Sequence, residues 1–539
     1  MPKYLFATAL YVAASVFLID HGASLTSRVL GDGQDPAAFM WFLSWWPYAI
    51  LHSLSLHTDL VWQPDGVNLA WTTSIPFLSI LAAPVTEIFG PVPAFNLLSL
   101  AAPVLAALGA YGLCYELSRS AAGACLGGLV FGFSAYEMAQ SFDHLDLACT
   151  AAVPLMVLTA GRRVRGAAGR GQTILALAAL LTIQFYIFPE VLASALLLAG
   201  IAWWLAVWLL PAERAGLQHL LVDAMLAGVM LILAAAPVLR AMLMDHGGLF
   251  HPSNWPLYYS VDLASLITPT PFSALGGTLA APLSQHFTGG LEGQGAYLGL
   301  PLLMVLEIWV ARGWHDPLIR LWLAMFVIVL LCSLGPRLHV GGMLTGLPLP
   351  WALMIHLPLL GAALPARFCL YLWLLAAIGV AAWVASGNRT RLYIALLACL
   401  PCLPAPHKSE PNPVVTFFAT PGRVTQVLGA APKILVTPFA ITGPSTLWQA
   451  EQNFSFSMTG GYLGFPPAAG LRYPAVAELY LGIEGPHLVE DIKAYCALTG
   501  TQFIVAAPGT KPALRVVLES LAWQHRTVDD VVIYTVPHG

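Results

Sequence analysis

Residues 190–210 read EVLASALLLAGIAWWLAVWLL, and residues 219–239 read HLLVDAMLAGVMLILAAAPVL. Each run is close to the roughly 20 residues a helix needs to cross the hydrocarbon of a bilayer, and each carries a single carboxylate. Similar runs occupy 4–19, 98–114, 295–311, 321–334 and 368–385. Across all 539 residues, 58% are hydrophobic and only 9% are charged, whereas a soluble domain carries about 25% charged residues. So few charges cannot cover a water-facing surface. The fold class expected is therefore mainly α, a polytopic transmembrane helix bundle. The formal net charge of −4 is thinly spread, which leaves no basic footprint for nucleic acid.

Lysine and arginine set the expected orientation, because cytoplasmic loops are enriched in them. With the N-terminus inside, Lys3, Arg119, Arg162, Arg163, Arg165, Arg170, Arg214, Arg312, Arg320, Arg389 and Arg391 fall inside. Only Arg28, Arg240, Arg337 and Arg367 of the membrane part fall outside. This solution makes the stretch 74–89, which holds Pro76, Pro84 and Glu87, an interfacial or re-entrant helix on the outer face. The expected spans are 4–20, 93–115, 122–140, 146–161, 172–188, 190–210, 219–241, 295–311, 319–335, 366–385 and 391–404, about eleven in all. The membrane domain is then 1–404, with outer-face loops 21–92, 242–294 and 336–365. Beyond the Pro-rich stretch 405–417, β-like runs (Ile434–Thr437, Gln502–Ala506, Val531–Val536) alternate with helix-like runs (Leu488–Leu498, Lys511–Leu521). That alternation suggests a small α/β domain over 405–539, extracytoplasmic in this topology. The expected location is a bacterial-type inner membrane.

Of the eight cysteines, five lie in or beside apolar runs and read as small core residues. Cys399 and Cys402 form a C-x-x-C without the second ligand pair a metal site uses.

With only short basic turns inside, chemistry must be built on the outer face. The first outer loop is the densest candidate. Residues 31–47 read GDGQDPAAFMWFLSWWP. Asp35 followed by Pro36 is a helix start with an acceptor at the N-cap. Trp41, Trp45 and Trp46 follow on what reads as a short amphipathic helix, and tryptophan favours the membrane–water interface. Asp35, with Asp32 second, is thus a carboxylate at headgroup level that could accept a proton from an acceptor hydroxyl. Either residue could instead be only a cap or a turn residue. Residues 59–73 read DLVWQPDGVNLAWTT, in which Trp62 and Trp71 are either interface anchors or a stacking platform for a sugar.

Other outer-edge polar groups are also candidates, since ionisable groups within or beside a membrane are costly. Residues 131–147, FGFSAYEMAQSFDHLDL, group Asp143, His144 and Asp146. Their spacing matches no usual metal set, so a helix cap or a substrate contact is the better reading for His144. Glu190 sits at a tight outer turn in QFYIFPE. The loop 242–294 brings Asp245, His246, His251, Trp255, Tyr258, Tyr259 and Asp262. Arg240, Arg337 and Arg367, with His339 beside one of them, could clamp a phosphate or could snorkel to headgroups.

The pattern resembles the GT-C class of bacterial membrane glycosyltransferases, which use polyprenyl-phosphate sugars. The resemblance is carried by GDGQDPAAFMW, VWQPDGVNLAWTTSIP, GPVPAFNLL, FGFSAYEMAQSFDHLDL and QFYIFPE over residues 31–200. It continues more loosely through SVDLASLITPTPF, EGQGAYLGLPLL, SLGPRLHVGG and LPARF to about residue 385. In that class an acid of the first outer loop lies near the reacting centre, and the matching residue is Asp35. The chain departs from many members in lacking an adjacent acidic pair there.

The resemblance implies inverting transfer of a hexosyl or pentosyl group from a polyprenyl-phosphate donor to a glycan, lipid or protein acceptor. Asp35 and Asp32 would be catalytic. His144, Glu190, Arg337, His339, Arg367, Trp62, Trp71 and Tyr258 would bind substrate. No cofactor is needed, and a divalent metal is compatible but not required. The alternatives are a lipid or glycan transporter or flippase, and a non-catalytic envelope assembly protein.

Overall fold

The computed structural model describes residues 2–20, 24–31, 33–244, 255–290, 293–356, 363–406 and 409–537. The chain is predominantly helical and divides into two compact units, both discontinuous in sequence. One comprises Met1–Ala23, Ser99–Ala235 and Pro252–Lys408. The other comprises Ser24–Leu98, Ala236–His251 and Ser409–Gly539. One division falls at 408/409, close to the composition break at 404/405, and the first loop region, Ser24–Leu98, groups with the C-terminal part.

Among the described residues, six helices are long and apolar enough to cross a membrane: Pro91–Ser118, Leu145–Val164, Arg170–Ile187, Pro189–Leu209, Pro211–Met244 and Pro365–Ala385. A seventh is added if Ala121–Gly132 and Ala135–Ser141, bent by 46° at Phe133–Ser134, form one crossing. The chain is a multi-pass membrane protein. The helices Leu300–Arg312 and Arg389–Cys399 are shorter than the runs expected at 295–311 and 391–404. At 1.5 Å per residue they reach only about 20 Å and 17 Å. Pro211–Met244 is mostly exposed, whereas the Pro365–Ala385 segment is mostly buried. An apolar helix without protein cover needs lipid against it, while Cys369–Ala385 forms the centre of its unit.

Small residues make that centre. The helix Ala121–Gly132, AAGACLGGLVFG, packs along Cys369–Ala385. A Cβ on Gly123 would sit 2.8 Å from the Ala381 carbonyl oxygen, and one on Gly127 would sit 3.0 Å from that of Ala377. The glycines let the backbones approach, as small residues spaced four apart do in membranes. On the opposite side Tyr11 donates a 2.9 Å hydrogen bond to the Cys125 carbonyl.

One end of this unit collects the basic residues. Glu116, at the end of Pro91–Ser118, meets Arg119 and Arg162 at 2.9 Å and Arg165 at 3.2 Å. The buried Asp223 meets Arg163 at 2.6 Å and Arg170 at 3.2 Å. Five arginines that the charge rule assigns to one side thus lie together around two carboxylates.

In the second unit a five-stranded sheet runs in the order His525–Val528, Val531–Thr535, Phe503–Ala506, Lys433–Thr437, Ser457–Met458. Lys433–Thr437 pairs in parallel with both of its neighbours, Ile434 facing Phe503 and Met458. The last two strands form an antiparallel hairpin on Phe503–Ala506. The helix Leu488–Thr499 precedes Phe503–Ala506, and Pro512–Ser520 leads to the hairpin.

The tryptophan-rich helix Asp35–Leu51 is not an interfacial ribbon. Trp41 and Trp45 are fully buried and stacked at 5.7 Å, with Phe454 edge-on to Trp41 at 5.5 Å. The Trp41 indole donates to Gln449 at 2.7 Å. Gln449, itself fully buried, donates to the carbonyls of Leu60 at 2.8 Å and Phe456 at 2.9 Å. Trp41 and Trp45, expected as interface anchors, are thus core residues; the Trp41 indole N–H is satisfied by a buried amide, whereas the Trp45 Nε1 is buried with no hydrogen-bond partner among the described residues. Burying 150–250 Å² per ring contributes about 4–6 kcal/mol each as an upper estimate. Asn96 from GPVPAFNLL plays a similar part. Its amide accepts from Leu30 N at 2.9 Å and donates to the carbonyls of Leu25 at 2.8 Å and Arg28 at 2.7 Å, pinning the segment before the helix.

Candidate functional site

Asp35 opens the helix Asp35–Leu51, but Gln34, not Asp35, holds the cap position, and it makes no side-chain cap bond. The Asp35 carboxylate instead accepts a 2.7 Å hydrogen bond from the Tyr462 hydroxyl. A segment remote in sequence delivers that tyrosine. Residues 60–63 run beside 458–460: Met458 N donates to Leu60 O at 2.8 Å, Gln63 N to Met458 O at 3.0 Å, and Trp62 N to Gly460 O at 3.1 Å. Gly461, at φ +125°, turns the chain where a side chain would meet Val61, and Tyr462 follows. Tyr480 also lies near: burial, then the Asp35 charge, pushes its phenol well above the usual range. Neither tyrosine was foreseen. The signal available was TGGYLGF at 459–465, a tyrosine between glycines.

Asp32 lies outside the described residues, as do Asp245, His246 and His251. Trp62 is buried, edge-on to Phe439 at 6.0 Å and directly beneath Gly470, so its ring is committed to packing. Trp71 is half-buried. Asp65, in the Pro-Asp-Gly turn, meets Arg472 at 2.7 Å.

The other candidates belong to the first unit. Glu190, second residue of Pro189–Leu209, is ion-paired to Arg367 and accepts from Leu364 N at 3.4 Å. The Arg367 guanidinium lies over the Phe188 ring at 5.3 Å. Glu190 and Arg367, 177 positions apart, thus form one cluster in which each neutralises the other. The Tyr371 hydroxyl lies 2.7 Å from Ser194 Oγ and donates to Val191 O at 2.9 Å, closing the helix contact below them.

His339 is buried, and its Nδ1 lies 2.8 Å from Thr288 Oγ1. Burial holds its imidazole below the ordinary range, with the Asp262 charge acting in the opposite sense. Asp262 accepts from Ala264 N and Gly341 N at 2.8 Å and from Gly342 N at 2.7 Å. This polar knot ties the turn after the strand Arg337–Val340 to Asp262, and His339 is packed beside it. Arg337 itself is exposed and has no side-chain partner among the described residues. Tyr258 is about half exposed and edge-on to Tyr259 at 4.9 Å. His144 lies at the break between Ala135–Asp143 and Leu145–Ala148. Among the described residues no group of three or more His, Cys, Asp or Glu side chains is arranged to hold a metal ion.

The arrangement of helices is the fold of the GT-C membrane glycosyltransferases. The oligosaccharyltransferase of Archaeoglobus fulgidus in its apo form superposes with a TM-score of 0.54 at 12% identity, covering 94% of this chain and 69% of that one. The archaeal oligosaccharyltransferase AglB from the same organism, in complex with an inhibitory peptide and a dolichol-phosphate, gives 0.51 at 10% identity over 99% and 74%. Arabinofuranosyltransferase AftD from Mycobacteria gives 0.57 at 14% identity, covering 99% of this chain but only 40% of that one. At these identities the likeness is one of fold. Within it, the chain belongs to the family described as Domain of unknown function (DUF6311), which matches residues 24–403. No curated protein matches it in sequence.

Proposed function

We propose that this protein is a membrane glycosyltransferase that moves a sugar from a polyprenyl-phosphate donor to an extracytoplasmic glycan, lipid or protein acceptor. The observation that carries the reading is the Asp35 carboxylate, held by Tyr462 at the start of its helix in a chain with the GT-C fold. A dolichol-phosphate occupies one similar structure, which supports a lipid-phosphate donor here.

In this reading Asp35 accepts the proton of an acceptor hydroxyl as its oxygen attacks the anomeric carbon. The bond from that carbon to the phosphate oxygen breaks, its electron pair leaves with the lipid phosphate, and the configuration inverts. Tyr462 fixes the carboxylate, so that little reorganisation is needed in the transition state. Arg337 and Arg240 are exposed and have no carboxylate partner among the described residues, whereas Arg367 is already neutralised by Glu190. No step calls for a metal.

The gathered arginines around Glu116 and Asp223 support placing that end on the cytoplasmic side; the proposed topology keeps about eleven spans, with residues 405–539 outside a bacterial inner membrane. The test is transfer of labelled sugar from polyprenyl-phosphate by the reconstituted full chain, with mass spectrometry for co-purified polyprenyl phosphate. Asp35→Asn is expected to lower transfer by 100-fold or more while the protein still folds and carries the lipid. Full transfer by that variant would overturn the reading.

A further inference from the structure

The same helix that begins with Asp35 ends against a hollow. Its volume is about 650 Å³, within the roughly 300–1,000 Å³ of small-molecule sites. It opens between the C-terminal half of Asp35–Leu51, the end of Pro76–Phe89 and the helix Ser445–Glu451 with the turn after it, all within the second unit. Tyr48 lies thirteen residues from Asp35, about 20 Å along the helix, so this hollow is separate from the carboxylate that Tyr462 holds.

Its chemistry is specific. Glu451 and Asn412 line it, and each has a buried side-chain oxygen, Oε2 and Oδ1, with no hydrogen-bond partner among the described residues. A buried polar atom left unpaired is costly, so both oxygens call for donors. Among the described residues that line it, the acidic groups are Glu451 and the exposed Glu87, and there is no lysine or arginine. A phosphate or carboxylate ligand is therefore repelled. Ser44, Thr26 and Asn453 make the wall too polar for a lipid tail. Tyr48 lines it too, its ring held in place 4.1 Å from that of His52 and 4.8 Å from that of Phe454.

We infer that this hollow is a binding site for a neutral, hydroxyl-rich sugar residue, whose hydroxyls donate to Glu451 and Asn412 and whose C–H face lies on Tyr48. Uncharged hydroxyls both give and accept hydrogen bonds, as a carboxyl group that burial brings close to neutral pH also does. The inference stands on the hollow's own chemistry and does not require Asp35 to be the catalytic base.

The experiment uses the full chain in detergent micelles and saturation-transfer-difference NMR with a panel of methyl glycosides of neutral hexoses and pentoses. Ethanolamine is the cationic control. At least one glycoside is expected to receive saturation. Glu451→Met and Asn412→Leu, which remove the two acceptors, and Tyr48→Leu, which removes the ring, should each cut that signal at least fivefold. Asp35→Asn should leave it intact, so that loss of transfer and loss of this binding are read separately. The proposal is overturned if no glycoside binds, if the signal survives Glu451→Met, if Asp35→Asn removes it, or if ethanolamine alone is bound.

Discussion

Replacing Glu451 by glutamine should stabilise the protein at alkaline pH and leave it unchanged at acid pH. Glu451 ends the helix Ser445–Glu451, with one carboxyl oxygen buried and unpaired among the described residues. Burial pushes its pKa up to about 7 from the ordinary value of 4.5. The sign follows from linkage. Below about pH 4.5 the carboxyl is neutral both folded and unfolded, and its burial carries no ionic cost. Between about 4.5 and 7 the unfolded chain gives up the proton while the folded chain keeps it, and stability falls. Above about 7 the full cost is present. About 2.5 units at about 1.36 kcal/mol per unit gives a cost of about 3 kcal/mol. Glutamine keeps the size and mimics the neutral form. For a unit of this size, about 2–4 °C per kcal/mol converts to a rise in Tm of about 6–12 °C at pH 8.5. Near pH 4.5 the difference between variant and parent should be within about 1 °C. Thermal unfolding of the detergent-solubilised full chain at the two pH values, followed by tryptophan fluorescence, reads the effect directly. The second unit contributes buried Trp41, Trp45, Trp62 and Trp448 to that signal. A shift of equal size at both pH values, or a lower Tm at pH 8.5, would refute the argument, because it would mean that the carboxylate is solvated or paired.

Tyr462→Phe removes the 2.7 Å bond to Asp35 and should lower sugar transfer about 10- to 100-fold with KM little changed, about 1.4–2.7 kcal/mol in the transition state; unchanged kcat would deny the tyrosine a positioning role. Arg367→Ala strands Glu190 and should lower Tm by an amount corresponding to about 1–3 kcal/mol, largely restored in the Glu190→Gln, Arg367→Ala double variant. Additive losses would show that the pair is not coupled. Gln449→Leu breaks three buried hydrogen bonds and should cost about 3–5 kcal/mol, measured as loss of folded protein after mild heating; a loss under about 1 kcal/mol would mean that the Trp41 indole and the two carbonyls find other partners.

The membrane character was legible because lipid imposes a length and a polarity that no other environment does, and runs such as 190–210 satisfy both. The strands at 433–437, 503–506 and 531–535 were visible for a different reason: short β-branched runs bounded by turn residues have few other uses. The arginines around Glu116 and Asp223 were foreseen as one side, though not their carboxylate partners, which for all but Arg119 lie 46 to 60 positions away. Asp35 stood out, with Asp32, as an acid beside an aromatic run, but its partner Tyr462 is 427 positions further on, beyond anything spacing can report. The Glu190–Arg367 pair was likewise visible only as two separate candidates. The burial of His339 was not legible either, because the Asp262 knot beside it is assembled from a segment almost eighty residues earlier.

The tryptophans of the helix Asp35–Leu51 show why such errors are systematic. Trp41, Trp45 and Trp46 satisfy two physical demands equally well from sequence alone: an indole at a membrane surface, with its N–H in the headgroups, or an indole in a protein core, with its N–H on a buried acceptor. Hydropathy counts transfer out of water and is blind to what receives the ring. What decides between the two is the presence of an acceptor elsewhere in the chain, and Gln449 supplies it. Once the Trp41 indole is bonded to Gln449, the helix cannot lie free along a bilayer. Its first residue is then oriented by the C-terminal segment that also carries Tyr462, and the position of the Asp35 carboxylate becomes a property of residues 445–462 rather than of the loop in which the carboxylate is written.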